Sequence, residues 1–275
     1  MKTINCNGKL LDLSTPKVFG ILNCTPDSFF DGGTYKDTQA MVRQTAKMLS
    51  DGAACIDIGA YSSRPGAAPV SELEEQQRII PVVKTLVETF PGIVLSVDTF
   101  RSSIAKEAVD CGAAIVNDIS GGTVDPQMFA TVAKLQVPYI LMHMQGNPQT
   151  MQEHPNYTNI TTELIGFFAT QIQALQTLGH TDVIIDVGFG FGKTTAHNYE
   201  LLQNLALFKS LDAPILAGVS RKSMLYKPLN SSPEEALNAT TAAHTIALLN
   251  GANILRAHDV KEAVEAIKIV GQLPV

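Results

Sequence analysis

Eight short apolar runs, a helical pattern after each and no surplus element predict an α/β fold for this chain: a single-domain (β/α)8 TIM barrel over residues 1–275. The runs are KVFGILN (17–23), CIDIGA (55–60), VLSVDT (94–99), AIVNDIS (114–120), YILMHM (139–144), VIIDVG (183–188), PILAGVS (214–220) and NILRAH (253–258). Each is rich in Val, Ile and Leu without strict alternation, which suits parallel strands covered on both faces. A doubly wound open sheet is the competitor, and eight complete units favour closure.

The segments between the runs justify themselves in turn. Val42, Ala46 and Leu49 lie at helical spacing, and Asp51-Gly52 supplies a stop. Ser71 with Glu74 forms a capping-box pattern ahead of Ile79, Val83, Leu86 and Val87, a stripe that ends before Pro91-Gly92. Asp125-Pro126 reads as an N-cap with proline at the first helical position, before Met128, Val132 and Leu135. Leu164, Phe168, Ile172, Leu175 and Leu178 make the next stripe, closed by Gly179. Tyr199, Leu202, Leu205 and Phe208 follow. Ser232-Pro233-Glu234-Glu235 is expected to open a helix reaching Gly251, and Asp259 to cap the last one.

Composition narrows the function classes. Apolar residues at 45% and charged residues at 17% leave ample core material and no case for disorder. A net charge of −6 with no basic run argues against nucleic acid as a partner. Cys6, Cys24, Cys55 and Cys111 have no metal-ligand spacing and are expected to be reduced thiols. No long apolar stretch suggests a signal peptide or a membrane span, so a cytoplasmic location is expected.

The polar residues of the eight runs fall late in them: Asn23, Asp57, Asp98, Asn117, His143, Asp186, Ser220-Arg221-Lys222, Arg256 and His258. In a barrel the carboxyl ends of the strands build the active site. A strand aspartate costs several kcal/mol unless paired or hydrogen-bonded, so convergence of nearly every strand on one rim points to a shared ligand. Carboxylates and amides suit the edge of a flat heterocycle bearing N–H and amino groups, while Lys222, Arg256 and His258 suit phosphate. The expected ligand is therefore a polar aromatic ring attached to an anion. Three carboxylates are also a metal-ligand pattern, but no His-x-His or His-x-x-x-His spacing supports a zinc-type centre. His143 reads equally well as a core histidine. GFGFGK (188–193) matches neither the dinucleotide nor the P-loop glycine spacing, and its glycines fit close passage of backbone past a ligand face, with Phe191 packing on it.

Together NCTPDSFFDGG (23–33), DIGAYSSRPGA (57–67), SVDT (96–99), VNDISGG (116–122), LMHMQGNP (141–148), DVGFGFGK (186–193), GVSRKS (218–223) and RAHDV (256–260) resemble the dihydropteroate synthase family. The likeness runs from about Lys17 to Val270. It implies condensation of 6-hydroxymethyl-7,8-dihydropterin pyrophosphate with p-aminobenzoate, giving 7,8-dihydropteroate and pyrophosphate for folate synthesis. By that resemblance Asp57, Asp98, Asn117, Asp186, Lys222 and Arg256 hold the pterin ring, with Met142 and Phe191 lining its slot. Asn23, Arg256 and His258 hold the pyrophosphate, Asn23 through Mg2+. Phe29, Ser63, Arg64, Pro65 and Ser220 shape the p-aminobenzoate site, and Asp98, Lys222, Arg256 and His258 carry the catalysis. Thr25, Pro26, Asp27 and Phe29 act as a lid. The resemblance also implies a sulfonamide target and a homodimer.

Departures from the family pattern are few: Ala60-Tyr61-Ser62-Ser63-Arg64 stands where Gly-Glu-Ser-Thr-Arg is common, Val187 replaces a proline and Cys24 a valine. Two other functions share the features less well. A methyltetrahydrofolate:corrinoid methyltransferase needs no pyrophosphate site, which the Asn23 loop and Arg256-x-His258 supply. A silent pterin-binding module has less reason to keep Asn23, Arg64 and Lys222 together.

Overall fold

Two strands, β1 (Thr3–Cys6) and β2 (Lys9–Asp12), pair antiparallel through Asn7 and Gly8 ahead of the first apolar run. Both turn residues have positive φ, 52° and 88°, as Asn-Gly hairpin turns require. This hairpin was not expected from the pattern of runs, although Asn-Gly is a strong short-range hairpin signal. The computed structural model describes residues 3–24, 35–61, 70–146, 151 and 155–274, with backbone only at 35–37.

All eight runs are strands: β3 (Lys17–Asn23), β4 (Cys55–Gly59), β5 (Leu95–Asp98), β6 (Ile115–Asp118), β7 (Tyr139–Met142), β8 (Val183–Asp186), β9 (Ile215–Ala217) and β10 (Ile254–Ala257). They pair in parallel in sequence order, and β10 returns to β3 to close the barrel. The register puts residues of one pleat parity side by side: Ile21 opposite Asp57, Asp57 opposite Ser96, and Asp98 opposite Asn117.

Low in the barrel that parity is apolar. Phe19, Cys55, Val94, Ile140, Ile184, Leu216 and Ile254 form one buried cluster, into which the hairpin inserts Ile4 and Cys6, joined by Leu13. Two to four residues further along the strands the same parity gives Asn23, Asp57, Gly59, Asp98, Asn117, Met142, Asp186, Gly218 and Arg256. The pleat thus carries one inward column from a sealed floor to a polar mouth. The opposite parity, including Val18, Ile56, Ile58, Val97, Val116 and Leu141, packs outward on the helices.

The helices are α1 (Tyr35–Ser50), α2 (Glu72–Thr89), α3 (Ser102–Asp110), α4 (Met128–Leu135), α5 (Ile160–Thr177), α6 (Thr195–Gln203), the short α7 (Ser223–Tyr226), α8 (Leu237–Leu249) and α9 (Val260–Val270). Several of their ends differ from the sequence expectation. Ser71 does accept from the Glu74 N–H, but Glu74 turns to Arg78, so only half of that capping box forms. A full box joins Thr194 to His197, where a histidine ring takes the usual Glu or Gln place. Asp125 accepts from Gln127 N–H and, with its other oxygen, from Ser102 N–H at the start of α3, 2.7 Å away. Gln127 rather than Asp125 stands at the N-cap of α4 and Pro126 lies outside the helix, so the Asp125 carboxylate ties the turn before α4 to the start of α3. Helix α8 begins at Leu237 rather than Ser232, after a turn in which Glu235 N–H reaches the Ser232 carbonyl. The stripe from Tyr199 to Phe208 breaks at Asn204 into α6 and a 3-10 turn, Leu205–Leu211. The four cysteines are unpaired, and burial pushes the Cys6 and Cys24 thiols up to about 12.

Candidate active site at the barrel mouth

Asp57, Asp98, Asn117 and Arg256 meet in one network above the apolar floor. Arg256 Nε donates to Asp57 Oδ2 at 2.5 Å and Nη2 to Asp98 Oδ2 at 2.9 Å, while Asn117 Nδ2 donates to Asp57 Oδ2 at 3.1 Å. One guanidinium thus faces two carboxylates. Asp57 is fully buried, and its Oδ1 has no partner among the described residues. Asp98 keeps 21% of its side chain open to the mouth. Burial pushes its carboxyl up to about 7; Arg256 pulls it back, and Asp57 raises it further. Burial also works against the Arg256 charge, but Asp57 and Asp98 outweigh it and hold that group above its ordinary range.

A second group stands beside the first. Asp186 Oδ1 accepts from Gly188 N–H at 2.8 Å, and burial raises its carboxyl against the opposing pull of Lys222. Lys222 Nζ donates to the Phe189 carbonyl and lies 4.6 Å from the centre of the Phe191 ring. Burial brings Lys222 down to about 8. A β-carbon on Gly218 would sit in ordinary contact with both groups, 3.5 Å from Asp186 Oδ2 and 3.9 Å from Lys222 Nζ, which places this strand end beside the pair.

Apolar walls complete the arrangement. Ile119, Met142, Met144 and Met151 form a separate buried cluster with Phe100 and Phe191 packed on it. Of these, only Met142 and Phe191 are expected from the sequence. The alternating methionines of LMHMQG were a legible signal for Met144; nothing local marked Ile119 or Met151.

At the rim Ser220 Oγ lies 3.0 Å from His258 Nδ1 and accepts from the His258 backbone N–H at 3.2 Å. The Ser220 hydroxyl is thus engaged with His258. Arg221, with φ of 55°, anchors this corner by donating from Nε and Nη2 to Asp259 and from Nη1 to the carbonyls of Pro233 and Glu234. Asp259 stands at the N-cap position of α9, as expected, but its carboxylate holds Arg221 and makes no capping bond. Asn23 ends β3 with its side chain exposed. Thr25, Pro26, Asp27, Phe29, Ser63, Arg64 and Pro65 lie outside the described residues.

His143 does not join the polar ring at the mouth. Its Nδ1 is 3.1 Å from Lys193 Nζ, its ring packs edge-on to Phe167, and burial lowers it to about 3. Two departures find neighbours: Tyr61 packs edge-on to Phe100 at 5.2 Å, and Cys24 Sγ lies 3.9 Å from Met41 Sδ. Among the described residues no three His, Cys, Asp or Glu side chains group as a metal site, and no helix is long and apolar enough to cross a membrane.

The chain is similar to known proteins along nearly its whole length. Residues 19–258 match the family described as pterin binding enzyme. The chain is 46% identical over 265 residues to an Escherichia coli protein named dihydropteroate synthase, covering 96% of this chain and 93% of that one. A crystal structure of the Yersinia pestis dihydropteroate synthase with a sulfonamide drug complex superposes with a TM-score of 0.92 at 44% identity, covering 98% of both chains. The Xanthomonas albilineans dihydropteroate synthase with 4-aminobenzoic acid gives 0.91 at 39% identity, covering 99% of both.

Proposed function

The chain belongs to the dihydropteroate synthases, enzymes of folate biosynthesis, and from that premise we propose how its barrel mouth divides the work. The observation that carries the reading is the convergence of Asp57, Asp98, Asn117, Asp186 and Arg256 on one inward column of the strands, with Lys222 reaching Asp186 from the turn after β9. Asp57, Asp98 and Asp186 lie in the field of Arg256 and Lys222, joined at Asp186 by Lys193, yet among the described residues Asp57 Oδ1 still has no hydrogen-bond partner, which leaves a surplus of acceptor capacity. A pterin edge, which presents ring N–H and amino donors, complements that surplus. Met142 and Phe191 cover its faces.

The diphosphate falls to the rim, to Asn23, Arg256 and His258. Asn23 offers a neutral amide oxygen at the exposed end of β3. A single protein oxygen fits Mg2+, which commonly takes its other ligands from phosphate and water. When bound there the ion would neutralise charge growing on the departing diphosphate. The bond from the pterin methylene to the diphosphate oxygen breaks, the methylene carries positive charge conjugated with the ring, and the arylamine nitrogen of p-aminobenzoate attacks it and loses a proton. Asp98, beside the ring and nearly balanced between its two protonation states at neutral pH, stabilises the cation as a carboxylate.

For p-aminobenzoate the assigned residues are Phe29, Ser63, Arg64, Pro65 and Ser220. The 4-aminobenzoic acid in the Xanthomonas structure supports that second substrate, and the sulfonamide complex of the Yersinia enzyme supports competition by sulfonamides. We assign the protein to the cytoplasm as a homodimer on the same family grounds. Pyrophosphate release that requires p-aminobenzoate, the pterin pyrophosphate and Mg2+ tests the reading; release without p-aminobenzoate, or none with all three, overturns it.

A further inference from the structure

Lys193 follows the Gly-rich turn after β8 and is almost wholly buried, 3% exposed; among the described residues it makes no direct ion pair, although the Asp186 carboxylate acts on it from nearby. Its ammonium meets three acceptors instead: His143 Nδ1 at 3.1 Å, the His143 carbonyl at 3.2 Å and the Phe191 carbonyl at 2.9 Å. The first two belong to the loop after β7, the third to the loop after β8. An ammonium has three N–H groups, so each is matched by one acceptor. Burial brings Lys193 down to about 7; with Lys193 as the charged donor, the Nδ1 contact is met by a neutral imidazole carrying its proton on Nε2, in keeping with the lowered His143 basicity.

The two loops are also in backbone contact. A β-carbon on Gly188 would lie 2.0 Å from the His143 carbonyl oxygen, and one on Gly192 would lie 2.7 Å from that of Gln145. Both glycines have positive φ, 68° and 61°. Lys222 holds the Phe189 carbonyl while Lys193 holds that of Phe191, so two ammonium groups fix alternate carbonyls of one loop. Phe191 carries the second of those anchored carbonyls, and its ring packs against the cluster of Ile119, Met142, Met144 and Met151.

We infer that Lys193 is a positioning residue for the pterin slot: it staples the loop after β7 to the loop after β8 and so sets the Phe191 ring and, through the Phe189 carbonyl, the Lys222 ammonium. The inference rests on the pterin reading above but adds a residue that touches no substrate. Losing the staple frees the Phe191 wall and leaves the opposite side of the mouth, built on β3 and β4, as it was. The consequence is selective for one substrate.

The test is steady-state kinetics with both substrates on the full chain, comparing wild type, Lys193→Met and Lys193→Arg. Expected are a pterin-pyrophosphate KM raised about tenfold or more in Lys193→Met, a p-aminobenzoate KM within about twofold of wild type, and partial recovery of the pterin KM in Lys193→Arg, which keeps the donors. An unchanged pterin KM in folded Lys193→Met, or equal rises in both KM values, overturns the inference. Should Lys193→Met not fold, Lys193→Gln, which retains a neutral donor, is judged by the same criterion. Wild type without pterin-dependent turnover would instead sink the functional reading, so the two failures are distinguishable.

Discussion

Arg221 and Asp259 form a two-pronged ion pair, Nε to Oδ2 and Nη2 to Oδ1, each at 2.8 Å. The pair spans 38 residues of sequence and fixes the turn between Ser220 and Lys222 beside His258. Parallel fork geometry and partial burial set it apart from an ordinary surface pair. A double-mutant cycle of Arg221→Met and Asp259→Asn, read by urea denaturation, is expected to give a coupling of about 1–2 kcal/mol. A coupling near zero would make the pair ornamental.

The Asp98 carboxyl is raised from 3.8 to about 7. A folded state that holds a proton more tightly than the unfolded chain loses stability as pH climbs between those two values. Asp98→Asn removes this penalty, so the variant is expected to gain thermal stability over wild type at pH 8 and little at pH 4. Its turnover should nevertheless fall, and by more than its pterin affinity, because the carboxylate acts on the developing cation. Wild-type turnover should rise with pH through about 7 on the same group. Near-normal turnover in Asp98→Asn, or an identical stability difference at both pH values, would contradict the assignment.

Removing Arg256 strands Asp57, which is fully buried. Arg256→Met is expected to cost about 3–5 kcal/mol in chemical denaturation, the range for breaking a buried pair on one side. Arg256→Lys keeps the charge but loses the fork that reaches Asp57 and Asp98 together, and should recover only part of the loss.

Gly188→Ala sets a methyl group where the His143 carbonyl oxygen already sits, on a backbone with φ of 68°. Neither the clash nor the dihedral has a local remedy, since the carbonyl belongs to a barrel loop. A loss of more than about 3 kcal/mol, or failure to yield folded protein, is expected. Wild-type stability in that variant would show that the two loops separate readily.

The barrel was legible because each parallel strand is buried on both faces and so announces itself as an unbroken apolar run. The hairpin was not, since its two strands hold only four residues each and Lys9, Leu10 and Asp12 are exposed. Resemblance brought Asp57, Asp98, Asn117 and Arg256 to one site; it could not say that Arg256 spans both carboxylates, because that depends on strand stagger. Lys193 was passed over inside GFGFGK for a related reason. A lysine after glycines looks like any surface lysine until tertiary contact removes it from water. The half-formed box at Ser71 and the complete one at Thr194 show the same limit, since rotamer choice decides whether Glu74 reaches back or meets Arg78.

The hairpin that inserts Ile4 and Cys6 beneath the barrel makes the molecule a cul-de-sac. Among the described residues the apolar cluster closes one end of the inward column and the polar residues stand at the other, so on the proposed assignment the pterin would enter and leave past the rim. An amine bound at the rim would then stand between that ring and the way out, and the joined product would leave by the same end.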